Sequence, residues 1–316
     1  MTFGPAEEEG VAVAPDGSLV TSVGVRQSAV WVSDSSGERP VTSEGFAAAN
    51  NLVLTAPIFS ADGGKIYHLL GRDMPGSINE LWRTDIGKGT SERIIQGFPI
   101  VEFDIAGDET GAGDVVFSVQ HKGKPSEIWL AGLNRAAPPV RIADGGEGSP
   151  RFGPNGELWY RYSDGKANLV GLMKQDGSGR RRAAEYPVST VMNVSPGGQW
   201  LIAMAPAEGR SAIDTIAIPA GGGPQRIIGP GRWPVAWSRD GKTCYFGVAS
   251  KRTLAFPVQP GQLPVAPDGN LQVLLKNPPA SARIVTGYDL SPGPDPSMFA
   301  YIKGTNQRNL FRITLK

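Results

Sequence analysis

Apolar residues along this chain fall in short, nearly unbroken runs, too short for helices and separated by turn-forming residues. The clearest are Ile66–Leu70, Val115–Val119, Leu158–Tyr160, Trp200–Met204, Cys244–Val248 and Met298–Ile302. Runs of this length without polar alternation predict strands buried on both faces. A turn signal stands just before each run. The copies are Pro15-Asp16-Gly17, Ala61-Asp62-Gly63, Gly107-Asp108, Pro154-Asn155-Gly156, Pro196-Gly197-Gly198, Arg239-Asp240-Gly241 and a degraded Pro292-Gly293. In such turns glycine supplies the positive φ and Asp or Asn bonds its own backbone, so each joins two antiparallel strands.

The spacing carries more information than any single turn. Positions 16, 62, 108, 155, 197, 240 and 293 lie 42 to 53 residues apart. A second landmark keeps the same rhythm: Trp31, Trp82, Trp129, Met173, Ile216, Phe256 and Phe311 lie 40 to 55 residues apart. Short basic-apolar stretches follow, as in Arg39-Pro-Val-Thr42, Glu92-Arg-Ile-Ile95, Val140-Arg-Ile142 and Gln225-Arg-Ile-Ile228. Each repeat therefore predicts four strands: inner, second, a third carrying the large anchor, and outer. All-β repeats of this period predict a β-propeller, in which sheets are arranged radially around a channel. We expect one domain over residues 1–316, with repeats near 11–45, 56–97, 101–144, 149–186, 191–229, 234–277 and 284–316, hence seven four-stranded blades. Six blades are the alternative, reached by merging the sixth and seventh copies, where Gln259–Asn277 inserts a second Pro267-Asp268-Gly269 turn. The seventh copy lacks an outer strand. Closed propellers fill such a gap with a strand from the other chain end, and residues 2–9, with Pro5 and Glu7-Glu8-Glu9, suit that place poorly.

Composition changes this picture little. With 42 Gly and 27 Pro no long helix is expected; 40% apolar and 19% charged residues fit an ordinary globular core. A net charge of +1 gives no electrostatic case for nucleic acid. No stretch approaches the ~20 apolar residues of a membrane span, so no membrane contact by this domain is expected. The single cysteine, Cys244, sits in an apolar run and reads as a small buried hydrophobe. The start of the chain carries no basic-then-apolar leader pattern and reads as a domain boundary or a cut through a longer protein.

Candidate chemistry is sparse. Of two histidines, His68 falls in an apolar strand and His121 in a polar loop beside Lys122-Gly-Lys124. Neither is placed for a Ser-His-Asp triad, and no His-Glu-x-x-His helix or Gly-x-Ser-x-Gly elbow occurs. Glu102, Asp104, Asp108, Glu109 and Asp114 form an acidic stretch whose spacing matches no calcium loop. Arg180-Arg181-Arg182 reads as an outer-strand edge device. We therefore expect no catalytic residue, metal or cofactor in this chain. A ligand would be met where the loops leading into the inner strands form a rim. Asn51, Phe98, Arg151, Met192, Trp233 and Tyr288 are the rim candidates, Arg and Trp being frequent carriers of binding energy.

Two resemblances sharpen the expectation. Phe59-Ser-Ala-Asp62-Gly-Gly-Lys-Ile-Tyr67 and Trp237-Ser-Arg-Asp240-Gly-Lys-Thr-Cys-Tyr245 resemble the WD40-like Pro-Asp repeat of TolB-type propellers over nearly the whole chain. The opening Phe3-Gly-Pro-Ala-Glu-Glu-Glu-Gly-Val-Ala-Val-Ala-Pro-Asp-Gly17, with Gln27-Ser-Ala-Val-Trp31 and Gly37-Glu-Arg39, resembles the C-terminal propeller of serine/threonine kinases of acidobacterial type. That second resemblance implies a sensor or interaction module binding a protein or small molecule, attached to a kinase whose own motifs this chain lacks. The alternatives are a propeller that gates substrate to a prolyl-oligopeptidase-like hydrolase, and a propeller lactonase or lyase.

Overall fold

The computed structural model describes residues 6–42, 46–47, 56–71, 79–107, 113–207, 209, 212–248, 252–264, 271–286 and 290–313. The chain is an all-β propeller of four-stranded antiparallel blades. Blade 1 runs from the inner to the outer strand as Ile58–Phe59, Lys65–Gly71, Asn79–Asp85 and Thr90–Ile95. Blade 2 is Ile100–Ala106, Asp114–Val119, Glu127–Gly132 and Val140–Ala143. Blade 3 is Gly148–Phe152, Glu157–Ser163, Asn168–Lys174 and Arg181–Ala184. Blade 4 is Thr190–Val194, Trp200–Pro206, Ile213–Pro219 and Arg226–Pro230. Blade 5 is Val235–Trp237, Thr243–Val248, Arg252–Pro257 and Arg283–Thr286.

The first and seventh sequence copies share the remaining blade. Its inner strands, Ser291–Pro292 and Phe299–Ile313, come from the C-terminal end; its outer strands, Leu19–Asp34 and Gly37–Pro40, come from the N-terminal end. Leu19–Asp34 has no Asp-Gly turn inside it, so it passes through as one strand. It keeps one unbroken register against its partner, from Leu19 opposite Ile313 to Ser33 opposite Phe299. Seven sequence copies thus build six four-stranded blades among the described residues, and the copies that merge are the first and seventh rather than the sixth and seventh. Two borrowed strands close the ring where one was expected. Ala6–Val13 does not take the closing position; it pairs with the far part of the long strand, Leu19–Val25. Phe46–Ala47 bridges this blade to blade 1, touching Ser28 on one side and Leu70 and Gly71 on the other.

The core is distributed over the seams between blades, one apolar cluster to each. Tyr67, Leu69 and Leu81 of blade 1 meet Ile100, Phe103, Val115 and Phe117 of blade 2. Val116 and Ile128 of blade 2 meet Leu158, Tyr160 and Met173 of blade 3. The seams between blades 3 and 4, 4 and 5, 5 and 6, and 6 and 1 repeat the arrangement. Alternation explains the unbroken apolar runs. Successive strand residues face opposite sides, so Val115 and Phe117 serve one seam while Val116 serves the next. Each large side chain fully buried this way contributes roughly 1.5–3 kcal/mol.

Serine and aspartate together lock the turns. Ser60 Oγ donates to Asp62 Oδ1 (2.6 Å) and accepts from the Lys65 amide (2.9 Å), while the Gly64 amide donates to Asp62 Oδ1 (2.9 Å). Ser238, Asp240, Lys242 and Thr243 repeat these bonds in blade 5 at 2.6, 3.0 and 2.9 Å. The serine hydroxyl, then the backbone amide, hold both aspartates below the usual carboxylate range. The insertion in blade 5 carries a six-residue helix, Leu271–Lys276. Its Leu274 and Leu275, with Leu263, pack into the seam between blades 4 and 5.

Candidate functional site

The inner strands enclose a cavity of about 330 Å³ on the ring axis, and all six blades contribute to its wall. Blade 1 supplies Ile58, Phe59 and Ser60; blade 2 Phe103, Asp104 and Ile105; blade 3 Arg151; blade 4 Met192 and Asn193; blade 5 Ala236, Trp237 and Arg239; blade 6 Ser291 to Pro294. The repeat sets the level at which these residues stand. Ile58, Asp104, Arg151, Asn193 and Ala236 each precede by four residues the turn position of their own copy, at 62, 108, 155, 197 and 240. They form one layer around the channel.

Three members of that layer are polar, and each reaches to the next blade. Asp104 Oδ2 accepts from the Phe152 amide (2.8 Å), and its Oδ1 accepts from the amide of Ile105 (3.0 Å). Arg151 Nε donates to the Met192 carbonyl (2.8 Å). Asn193 Nδ2 donates to the Val235 carbonyl (3.1 Å), and its Oδ1 accepts from the Val194 amide (2.9 Å). The inner strands are thus stitched blade to blade by side chains, from blade 2 through blade 5. Withdrawal from solvent holds the Asp104 carboxyl above its ordinary range, against the opposing pull of the Arg151 guanidinium and of the two amides.

Arg151 also anchors a buried network behind the wall. It is 5% exposed, and its Nη2 lies 3.2 Å from Oε2 of Glu102, itself 8% exposed. Arg151 Nη1 donates to the Pro150 carbonyl (2.7 Å). Ser149 Oγ donates to Glu102 Oε1 (3.0 Å) and stands 2.5 Å from Thr190 Oγ1. Ser149 sits at φ 53°, in the left-handed region that a non-glycine residue occupies only when its surroundings hold it there. The ion pair and these hydrogen bonds supply that hold.

Arg151 and Met192, two rim candidates from the sequence, line the channel. Phe98 lies instead in the seam between blades 1 and 2, edge-on to Phe117 and Trp129 with centroids 5.6 and 4.9 Å apart. Trp233 packs beside the seam of blades 4 and 5, and its Nε1 donates to the Pro230 carbonyl (2.8 Å). Asn51 and Tyr288 lie outside the described residues. The sequence reading passed over Phe59, Asn193, Trp237 and Arg239. The signal that finds Asn193 is its place four before a turn, the place that also holds Asp104 and Arg151.

Other sequence candidates serve the fold. His68 is 1% exposed; its Nε2 lies 3.0 Å from Thr84 Oγ1, and burial pushes its pKa down to about 4. His121 is exposed in a turn, its carbonyl accepting from the Lys124 amide (3.1 Å). Arg180 spans two blades, donating to Glu147 Oε1 (2.8 Å) and to the Ile142 carbonyl (2.9 Å). Arg181 grips Glu157 with two bonds of 2.6 and 3.0 Å. In the acidic stretch, Glu102 and Asp104 take the roles above, Asp114 starts a second strand, and Asp108 and Glu109 lie outside the described residues. Among the described residues no three His, Cys, Asp or Glu side chains gather as a metal site would require.

No family model and no curated protein matches this chain. Solved structures match its fold. TolB from Acinetobacter baumannii superposes with a TM-score of 0.55 at 13% identity, over 90% of this chain and 59% of that one. The chain thus spans less than two thirds of that TolB. The protein assigned as TolB in Agrobacterium tumefaciens gives 0.57 at 16% identity, over 89% of this chain and 99% of that one. An oligogalacturonate lyase in complex with manganese gives 0.51 at 11% identity, over 95% and 98% of the two chains. At such identities the likeness is one of fold, and the fold is that of TolB-type β-propellers.

Proposed function

We propose that this TolB-type propeller is a non-catalytic binding module that takes a small molecule or a protein segment in its axial channel. We further propose that it acts as the sensor or interaction part of a larger bacterial signalling protein such as a serine/threonine kinase. The observation that carries the reading is the division of labour in the channel wall. Asp104, Arg151 and Asn193 are engaged in bonds between blades. The remaining wall mixes apolar side chains such as Phe59, Met192 and Pro292 with polar ones such as Ser60, Arg239 and Ser291. A preformed concave site that mixes apolar surface with a few fixed polar groups is what ligand recognition uses. Among the described wall residues Asp104 is the one carboxylate and no histidine is present, and both oxygens of Asp104 already accept backbone amides. The kinase association rests on the resemblance of the opening residues.

The test is ligand-observed NMR on the purified chain with a mixed set of metabolites and short peptides. It is repeated on Ala236→Phe, which narrows the channel. Binding to wild type that Ala236→Phe abolishes supports the reading. Turnover of an oligogalacturonide or lactone that Asp104→Asn abolishes would replace it with a propeller enzyme.

A further inference from the structure

One blade is built on strands that outrun it. The second strands of blades 1 to 5 hold six or seven residues. In the blade shared by the two chain ends the second strand, Phe299–Ile313, holds 15 and the third, Leu19–Asp34, holds 16. A second strand starts beside its inner-strand turn, here with Phe299 opposite Pro292, and leads away from it. The extra length therefore leaves the ring on the side opposite the turns. Ala6–Val13 pairs with Leu19–Val25 along it and adds a third strand.

Register sorts the side chains of this extension. Directly opposed residues share a face, and neighbours along a strand alternate. Val13, Leu19 and Ile313 form one row across the three strands, and Val11, Thr21 and Phe311 form the next row on the same face. Of these, Val11, Val13, Phe311 and Ile313 are exposed, from 48 to 72%. Thr21 is the one polar member of the face among the described residues, and its hydroxyl donates to the Gly10 carbonyl (3.1 Å). The opposite face carries Leu310 and Arg312; Arg312 is paired with Asp16 and donates to Ser18 Oγ (2.8 Å). One face is thus uncharged and apolar, the other charged. Contiguous exposed apolar side chains mark an interaction surface, whereas single ones do not.

We propose that this apolar face is the contact between two copies of the chain, packed face to face across a two-fold axis. A two-fold contact sets a surface against itself. With no charge among its described residues, this face meets its own copy without like-charge repulsion. Its size also suffices. Three strands about 4.8 Å apart and eight residues long, at about 3.4 Å per residue, present a face of roughly 14 by 27 Å. Two such faces, stacked like the sheets of a sandwich, bury on the order of 1,000 Å² in total, the low end of specific interfaces. The dimer is therefore reversible, with micromolar affinity. The extension lies opposite the turns, so the turn-side mouth of each channel stays open and the inference is independent of ligand binding there.

Sedimentation velocity on the full chain, from about 1 to 200 µM to bracket micromolar constants, tests the assignment on wild type, Phe311→Asp, Val13→Asp and Leu310→Asp. We expect a monomer–dimer equilibrium in wild type. Phe311→Asp and Val13→Asp, on different strands, should each weaken it at least about tenfold, since each would bury an unpaired carboxylate. Leu310 adjoins Phe311 but belongs to the other face, so Leu310→Asp should leave the dimer constant unchanged. All three positions are exposed; melting temperatures close to wild type, measured where every variant is monomeric, check that the fold is intact. Wild type that stays monomeric over the whole range would overturn the proposal. So would a dimer that either Phe311→Asp or Val13→Asp leaves unchanged, or that Leu310→Asp weakens as much as they do.

Discussion

Replacing Arg151 by methionine should be among the most damaging single changes in this molecule, and its size can be worked from the structure. Arg151 and Glu102 are 5% and 8% exposed, with the charged atoms 3.2 Å apart. Removing one partner leaves Glu102 buried with Ser149 as its hydroxyl donor. Breaking a buried pair costs about 3–5 kcal/mol. The Met192 and Pro150 carbonyls also lose their donors, at 2.8 and 2.7 Å, which keeps the loss toward the upper end. For a chain of this length each kcal/mol lowers Tm by roughly 2 °C, so Arg151→Met should melt about 6–10 °C below wild type. Removing the charge left behind should recover much of this. The double variant Arg151→Met with Glu102→Gln should be clearly more stable than the sum of the single losses requires. Differential scanning calorimetry on the four proteins reads both quantities. An Arg151→Met melting point within 2 °C of wild type, or strictly additive losses, would refute the reasoning.

Three further outcomes follow from particular contacts. His68 has a folded pKa of about 4 against 6.5 unfolded, so the unfolded chain binds the proton first as pH falls. Stability is full above pH 6.5 and should drop by roughly 3 kcal/mol between pH 6.5 and 4; urea melts of His68→Gln should lack that part of the pH dependence. Gly261 has φ +72°, and a Cβ there would stand 1.9 Å from the Pro196 carbonyl oxygen, whereas Gly231, φ +76°, has open space around it. Gly231→Ala should cost about 1–2 kcal/mol and Gly261→Ala about 3–5 kcal/mol, read by chemical denaturation. Burial raises the Cys244 thiol well above its usual value, so native protein should react with a disulfide reagent only on the timescale of unfolding, and rapid labelling without denaturant would contradict the seam packing.

How far the sequence could be read depended on the range of the forces involved. The Asp-Gly turns were legible because the serine–aspartate bonds that lock them span a few residues, as in Ser60, Asp62 and Lys65. The second strands were legible because both faces are buried, which leaves a continuous apolar run. Phe98 and Trp233 looked like rim residues because binding and packing both favour large side chains next to strand starts; only the seam neighbours of Phe98, and the Pro230 carbonyl beside Trp233, separate the two roles. Asn193 was hidden, and Asp104 showed only as part of an acidic stretch, because a polar residue on a strand carries no mark of which blade it will reach.

By itself, then, the sequence determined the unit: an antiparallel four-stranded blade, repeated, with its turns and buried strands in place. These depend on local backbone chemistry and on burial, which residue type alone reports. Tertiary structure decided how the units were shared and joined. Nothing local distinguishes a strand that ends its own blade from one that completes another, so the merger of the first and seventh copies emerged only when Leu19–Asp34 met Phe299–Ile313 across the closed ring. The channel is likewise a property of closure. Asp104 and Arg239 are 135 residues apart in the chain and share a cavity because six seams of apolar packing bend the row of blades into a circle.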